Sequence, residues 1–258
     1  MSGRLESKVA IITGAGRGIG EATAEAYAAE GASVVIAEKN ETTGAVVANR
    51  IAGLGGSARF IQTDVTSVAS LENTVRETLR EYGCVDILVA NAGINVFSDP
   101  LELSDADWRR CFAVDLDGVW YSARAVLPQM LRQTSGSIIA MASCHSSHII
   151  PGCFPYPVAK HGVVGLVRAL AIQYASRGIR VNAIAPAYIE TELAREYWAG
   201  FVDPEAERQR ILNLHPQKRI GTPRQVAMTA VFLGSDEAPF INAATILMDG
   251  GRSVLYHE

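Results

Sequence analysis

Seven short apolar runs punctuate the chain: Val9–Ile12, Ser33–Ala37, Ala58–Gln62, Val85–Ala90, Gly136–Ala142, Arg180–Ile184 and Thr245–Met248. They are continuously apolar rather than alternating, the pattern of strands buried on both faces of a parallel sheet. Longer stretches of helical period lie between them. After Tyr156, residues Val163, Leu166, Val167, Leu170 and Tyr174 fall on one helix face. Some helix starts carry chemical marks. Ser104 with Asp107 resembles a capping box, and Thr222-Pro223-Arg224-Gln225 sets a cap, a first-turn proline and a glutamine in order. Repeated strand–helix units predict an α/β fold, a single-domain doubly wound parallel sheet of about seven strands with helices on both faces. No linker or repeat divides residues 1–258. One stretch, 190–221, breaks the rhythm with Tyr197, Trp198, Phe201, Asp203, Pro204, His215 and Pro216. Ligands of parallel sheets bind beyond the carboxyl ends of the strands, so this stretch reads as a substrate lid.

Composition narrows the class. At 258 residues and 48% hydrophobic content the chain can bury one large core. A net charge of −4 without a basic stripe argues against a nucleic-acid partner. No apolar run approaches the roughly 18 residues of a membrane span. The N-terminus enters the first strand without a signal-peptide core, so a cytoplasmic location is expected. Cys84, Cys111, Cys144 and Cys153 form no C-x-x-C pair, which predicts reduced thiols rather than disulfides or zinc ligands.

Glycines mark the end of the first strand. Thr13-Gly14-Ala15-Gly16-Arg17-Gly18-Ile19-Gly20 joins it to a helix, so backbone N–H groups and the helix start can cradle a pyrophosphate. The G-x-G-x-x-G spacing is not met, because Ile19 stands where the third glycine would fall. Glu38 ends the second strand, where a carboxylate accepts hydrogen bonds from ribose hydroxyls and repels a 2′-phosphate. The expected cofactor is therefore NAD rather than NADP, with Arg17 and Lys39 the cations that could instead pair with a phosphate.

Downstream stand Ser143, Tyr156 and Lys160. Tyrosine and lysine four residues apart on a helix are neighbours. An ammonium at about 4 Å is worth roughly 4 kcal/mol at an effective dielectric near 20, or about 3 pKa units. That predicts a phenol drawn towards neutrality, ready for acid–base catalysis, with Ser143 holding a substrate oxygen against it. A chance Tyr-x-x-x-Lys has odds of about one in eight here, so the order of glycine loop, serine and Tyr-x-x-x-Lys carries the weight.

Together with Asp64-Val65, Asn91-Ala92-Gly93, Tyr156-Pro157-Val158-Ala159-Lys160 and Asp249-Gly250-Gly251, these motifs resemble the short-chain dehydrogenase/reductase family over essentially the whole chain. The resemblance implies a Rossmann fold and a homotetramer. Gly14, Arg17, Gly18, Ile19, Gly20 and Glu38 would hold the cofactor, Asp64 and Val65 its adenine, and Asn91, Ala92 and Gly93 the adenosine-ribose side. Ile189 and Thr191 would meet the nicotinamide carboxamide, and Lys160 would bind the nicotinamide ribose while acting on Tyr156. Two positions depart from the family pattern. Asp115, in Asp115-Leu116-Asp117-Gly118, replaces an expected asparagine, and Ala187 replaces a glycine after Pro186. An ionised aspartate only accepts hydrogen bonds, so Asp115 is expected to hold a relay water, stabilise protonated Lys160 and raise the Tyr156 pKa.

Substrate contacts are expected from Ser143, His145, Cys153 and Tyr156. Cys144-His145-Ser146-Ser147-His148 lacks the further ligands of a metal site, so no metal is expected. The lid charges Glu192, Arg195, Glu196, Arg208, Arg210, Lys218 and Arg219 would suit a polyhydroxylated or anionic substrate if some point inward. The sequence around Tyr156 resembles the sugar and sugar-acid branch. The alternatives are a 3-oxoacyl carrier-protein reductase or general carbonyl reductase, and a catalytically silent NAD-binding protein. The end of the chain, residues 253–258, is a candidate for packing near a neighbouring subunit's site.

Overall fold

A computed structural model describes residues 3–255. Its strands are β1 (Val9–Thr13), β2 (Ser33–Glu38), β3 (Ser57–Gln62), β4 (Ile87–Ala90), β5 (Phe97–Ser98), β6 (Gly136–Met141), β7 (Phe154–Pro155), β8 (Ile179–Pro186) and β9 (Thr245–Met248). Seven of them form one parallel sheet in the order β3-β2-β1-β4-β6-β8-β9. The chain winds outward from β1 to β3, then returns to β4 on the other side. That reversal opens a crevice at the carboxyl ends of β1 and β4, the place where doubly wound sheets bind ligands.

The continuous apolar runs fill two cores, one on each sheet face. Ile12, Ile36, Val89, Ile139 and Ile184 pack towards α1 (Gly18–Ala29) and α9 (Pro223–Gly234). Their neighbours Ile11, Val35, Leu88, Ile138 and Ala183 pack towards α5 (Gly118–Gln133) and α6 (Tyr156–Tyr174). On the α6 face, Val163, Val167 and Leu170 are buried, with Leu166 and Tyr174 packed against them. Each fully buried branched side chain contributes about 1.5–3 kcal/mol, so this two-faced burial holds the sheet rigid beneath the crevice.

The remaining helices are α2 (Glu41–Gly53), α3 (Val68–Tyr82), α4 (Asp105–Phe112), α7 (Glu192–Ala199) and α8 (Pro204–Leu214). The Thr222 capping box forms as expected, with Gln225 reaching back to the Thr222 N–H. At α4, Ser104 caps the Asp107 N–H, but the Asp107 carboxylate takes the Ser104 hydroxyl instead of completing the box. β4 starts two residues later than expected, because the Gln133 side chain occupies both backbone groups of Val85. The lid is helical. Thr191 and Asp203 cap α7 and α8, and Trp198, Ile211 and Ile220 form a small core between them. A two-residue antiparallel ladder, β5 with β7, sets Phe97 opposite Pro155, next to Tyr156. No helix among the described residues is long and apolar enough to cross a membrane. Of the end expected near a neighbouring subunit, Arg252–Val254 forms a short 3₁₀ turn, and Tyr256, His257 and Glu258 lie outside the described residues.

Candidate active site

The crevice is one continuous cavity of about 990 Å³, running from Glu38 to Phe201 beneath the lid. Gly14, Arg17, Gly18 and Ile19 line one end of it. Gly18 opens α1 at φ +61°, a left-handed conformation that favours glycine. Gly20 does not line the cavity. A Cβ there would lie 2.1 Å from the Gly14 carbonyl oxygen and 2.6 Å from Asn91 Nδ2, so Gly20 lets α1 press against the loop. Asn91 is on the wall, with its amide donating to the Thr13 and Gly14 carbonyls at 3.0 and 3.1 Å. Thr13, the first residue of the glycine-loop motif, accepts the Asn91 and Ala92 N–H groups at its hydroxyl.

Glu38 is pinned at the rim. Its two carboxylate oxygens accept the N–H groups of Gly16 and Asn40 at 3.1 and 3.0 Å. Both neighbouring cations are engaged elsewhere. Lys39 pairs with Asp64 at 2.8 Å, and Arg17 reaches Glu196 of α7 at 3.2 Å. Burial works to raise the Asp64 pKa, but Lys39 and Thr66 together hold it below the ordinary carboxylate value. Asp64, Val65, Ala92, Gly93, Ile189 and Thr191 all line the same cavity. This glycine cradle, helix start and rim carboxylate fit an adenine dinucleotide.

At the other end the sheet and α6 bring Ser143, Tyr156, Lys160 and Asp115 together. Ser143 follows β6, while Tyr156 and Lys160 occupy the first turns of α6. Ser146, in the stretch after Ser143 that the sequence singles out, stitches the two rather than facing the cavity: its hydroxyl accepts the Ser143 N–H at 3.3 Å and donates to the Lys160 carbonyl at 3.0 Å. Lys160 Nζ donates to the Met141 carbonyl at 3.1 Å and lies 3.1 Å from Asp115 Oδ1. It sits 5.4 Å from the centre of the Tyr156 ring. Asp115 belongs to a π-helical turn, Ala113–Asp117, and also accepts the Ile94 N–H. Phe97 and His145 meet the Tyr156 ring edge-on at 5.7 and 5.9 Å.

The electrostatics correct one expectation. Burial pulls the Lys160 ammonium towards neutrality, but Tyr156 and Asp115 outweigh it and hold the pKa above the ordinary lysine value. The Tyr156 phenol is raised rather than lowered: burial is the largest cause, Lys160 opposes it, and Asp115 adds to it. Sequence spacing places the ammonium correctly but does not weigh the desolvation of the phenol. Asp115 is itself raised by burial, against the pull of Lys160 and the Ile94 N–H.

Around the reacting end, His145 and Cys153 line the cavity with Ile94, Phe97, Tyr197 and Phe201. Of the lid charges singled out in the sequence, only Glu192 and Arg210 line it. Arg195 and Arg208 instead share Glu190 on the lid surface. Glu207, which sequence reasoning did not single out, lines the cavity and pairs with Arg210 at 2.6 Å.

The family model described as enoyl-(acyl carrier protein) reductase matches residues 14–253. D-threitol dehydrogenase of Mycolicibacterium smegmatis is 36% identical over 251 residues, covering 97% of this chain and 95% of that one. Cyclohexanol dehydrogenase of Acinetobacter sp. (strain SE19) is 36% identical, covering 97% and 96%. The chain belongs to the short-chain dehydrogenase/reductase family. It is an oxidoreductase acting on CH–OH groups. The solved structure of levodione reductase superposes with a TM-score of 0.94 at 32% identity, covering 98% of this chain and all of that one. This dehydrogenase therefore shares the single-domain Rossmann architecture of its relatives as well as their sequence.

Proposed function

We propose that this dehydrogenase uses NAD(H) to interconvert a secondary alcohol, or a sugar hemiacetal, and its carbonyl on a small sugar-type substrate. The convergence of Ser143, Tyr156 and Lys160 at one end of the cavity, opposite the glycine cradle, carries the reading. Bound nicotinamide supplies the hydride acceptor or donor. The chain supplies the rest. Ser143 and Tyr156 hold the reacting oxygen, the Tyr156 hydroxyl exchanges its proton with it, and the Lys160 ammonium stabilises the phenolate. Asp115 and the Met141 carbonyl keep that ammonium in place. The reading includes Gly14, Arg17, Gly18, Ile19, Asp64, Val65, Asn91, Ala92, Gly93, Ile189 and Thr191 as cofactor contacts.

NAD is favoured over NADP by Glu38 and by the engagement of Lys39 and Arg17 with carboxylates. A neutral sugar is favoured over a sugar acid because the cations near the substrate end are matched. Of the cations lining that end of the cavity, Arg110 pairs with Asp107 at 2.9 Å and Arg210 with Glu207 at 2.6 Å. The D-threitol relative points the same way. A cyclic apolar alcohol or ketone is the second reading, favoured by the rings of Phe97, Tyr197 and Phe201.

Initial rates of NADH formation across aldoses, polyols, sugar acids and simple secondary alcohols, each with NAD and NADP, test the proposal. Turnover of neutral sugars or polyols with NAD is the expected result. Activity confined to NADP, or to acyl carbonyl compounds run in reverse, would overturn it.

A further inference from the structure

Among the described residues, five buried polar side chains line the cavity: Thr63, Asp115, Ser143, His145 and Lys160. Asp115, Ser143 and Lys160 belong to the proton-transfer machinery. Thr63 lies at the Asp64 end, where its hydroxyl is hydrogen-bonded to Thr74 at 2.8 Å. That leaves His145, 8% exposed, with no task in the chemistry described so far.

Two contacts fix its placement. The His145 backbone N–H donates to Ser143 Oγ at 3.2 Å, and its ring stands perpendicular to Tyr156 with centroids 5.9 Å apart. It is thus tied to both groups that hold the reacting oxygen. Nδ1 is sealed from solvent and has no hydrogen-bond partner. A neutral imidazole carries one N–H, and a buried N–H without an acceptor is costly. The proton is therefore assigned to Nε2, which has no protein partner among the described residues and is not among the sealed atoms. Burial, with help from Arg252 and His161, lowers the His145 pKa and keeps the ring neutral.

Resting on the dehydrogenase reading above, we infer that His145 Nε2–H donates to a second oxygen on the carbon next to the reacting one. The substrate is then a vicinal diol in the oxidising direction, or an α-hydroxy ketone in the reducing direction. Oxygens across one C–C bond match a donor packed edge-on against the catalytic phenol. Tyr188, Tyr197 and Asn95 also bring donors to the cavity, but of these donors only His145 packs against the Tyr156 ring and bonds to Ser143, so the oxygen it reads is the one adjacent to the reacting carbon.

The test compares kcat/KM for matched pairs, butane-2,3-diol against butan-2-ol and cyclohexane-1,2-diol against cyclohexanol, all with NAD. Wild type is expected to favour each diol by about tenfold or more, the effect of one well-placed hydrogen bond. In His145→Phe, which keeps the ring packing, both ratios should fall towards one. In His145→Asn, which keeps an N–H donor, part of the preference should return. NADH binding, followed by quenching of tryptophan fluorescence, should stay within about twofold of wild type in both variants and shows that each is folded. A wild-type ratio near one, or an intact diol preference in His145→Phe, would overturn the inference while leaving the dehydrogenase reading standing. Failure to oxidise any member of either pair, with sugars also inert, would remove both.

Discussion

Asp115 and Lys160 form an ion pair in the floor of the active site, 3.1 Å apart, with side chains 0% and 4% exposed. The pair fixes the ammonium next to Tyr156 and adds a negative charge that disfavours the phenolate. The Tyr156 pKa is raised, so the phenolate that the proposed mechanism uses for alcohol oxidation fills in as pH rises. Oxidation should therefore accelerate with pH above neutrality, while reduction, which uses the protonated phenol, should hold until the same pKa and then fall. Asp115→Asn removes the charge and lowers the Tyr156 pKa. Its rising limb in a kcat/KM–pH profile should lie at lower pH than that of wild type. An unmoved limb, or one displaced upward, would contradict this role for Asp115.

The same pair sets a stability prediction. Removing one partner of a buried ion pair costs about 3–5 kcal/mol, because the other charge is left uncompensated. Asp115→Ala should lower Tm by about 10 °C, at roughly 2–4 °C per kcal/mol for a domain of this size. Asp115→Leu combined with Lys160→Met removes both charges and should recover most of that loss without recovering activity. A double variant no more stable than Asp115→Ala would show that the hydrogen bonds to Ile94 and Met141 matter more than the charges.

Much of this site can be read in the chain before its structure. The order of glycine loop, Glu38, Ser143 and Tyr156-x-x-x-Lys160 picks out residues that line one cavity, and the continuous strands specify the sheet that brings them together. What sequence spacing misses is tertiary. The sign of the Tyr156 shift depends on burial and on Asp115, forty-one residues upstream. Ser146, Thr13 and Gly16 stand in stretches the sequence singles out, but their partners Lys160, Asn91 and Glu38 are distant in the chain and no local pattern names them. The lid helices did leave signals, in the capping residues Thr191 and Asp203-Pro204, but helices of 8 and 11 residues are held by tertiary packing rather than by their own propensity. The two-residue β5–β7 ladder is too short for alternation to mark it.

On the NAD reading proposed above, Glu38 has two jobs that substitution can separate. Its oxygens hold the Gly16 and Asn40 N–H groups, and its charge would repel a 2′-phosphate on a dinucleotide bound at the glycine loop. Glu38→Gln keeps an acceptor but loses the charge. The ratio of kcat/KM for NAD over NADP should fall about tenfold or more, an amount in line with hydrogen bonds to charged groups. An unchanged ratio in steady-state assays would assign the cofactor preference to another residue.

Gly20 is predicted to tolerate no side chain. A Cβ 2.1 Å from the Gly14 carbonyl oxygen must push α1 away from the loop. Gly20→Val should weaken NADH binding by more than about tenfold in a fluorescence titration, with a lowered Tm. Wild-type affinity would show that the loop does not form the cofactor cradle.

The role of Tyr156 as the acid–base group is tested most directly by single-turnover and steady-state rates of Tyr156→Phe with a substrate the wild type oxidises, alongside NADH binding. The phenyl ring keeps the packing against Phe97 and His145 and removes only the hydroxyl. Tyr156→Phe should have a kcat lower by at least about 100-fold with NADH affinity largely retained. A variant turning over at the wild-type rate would contradict that role.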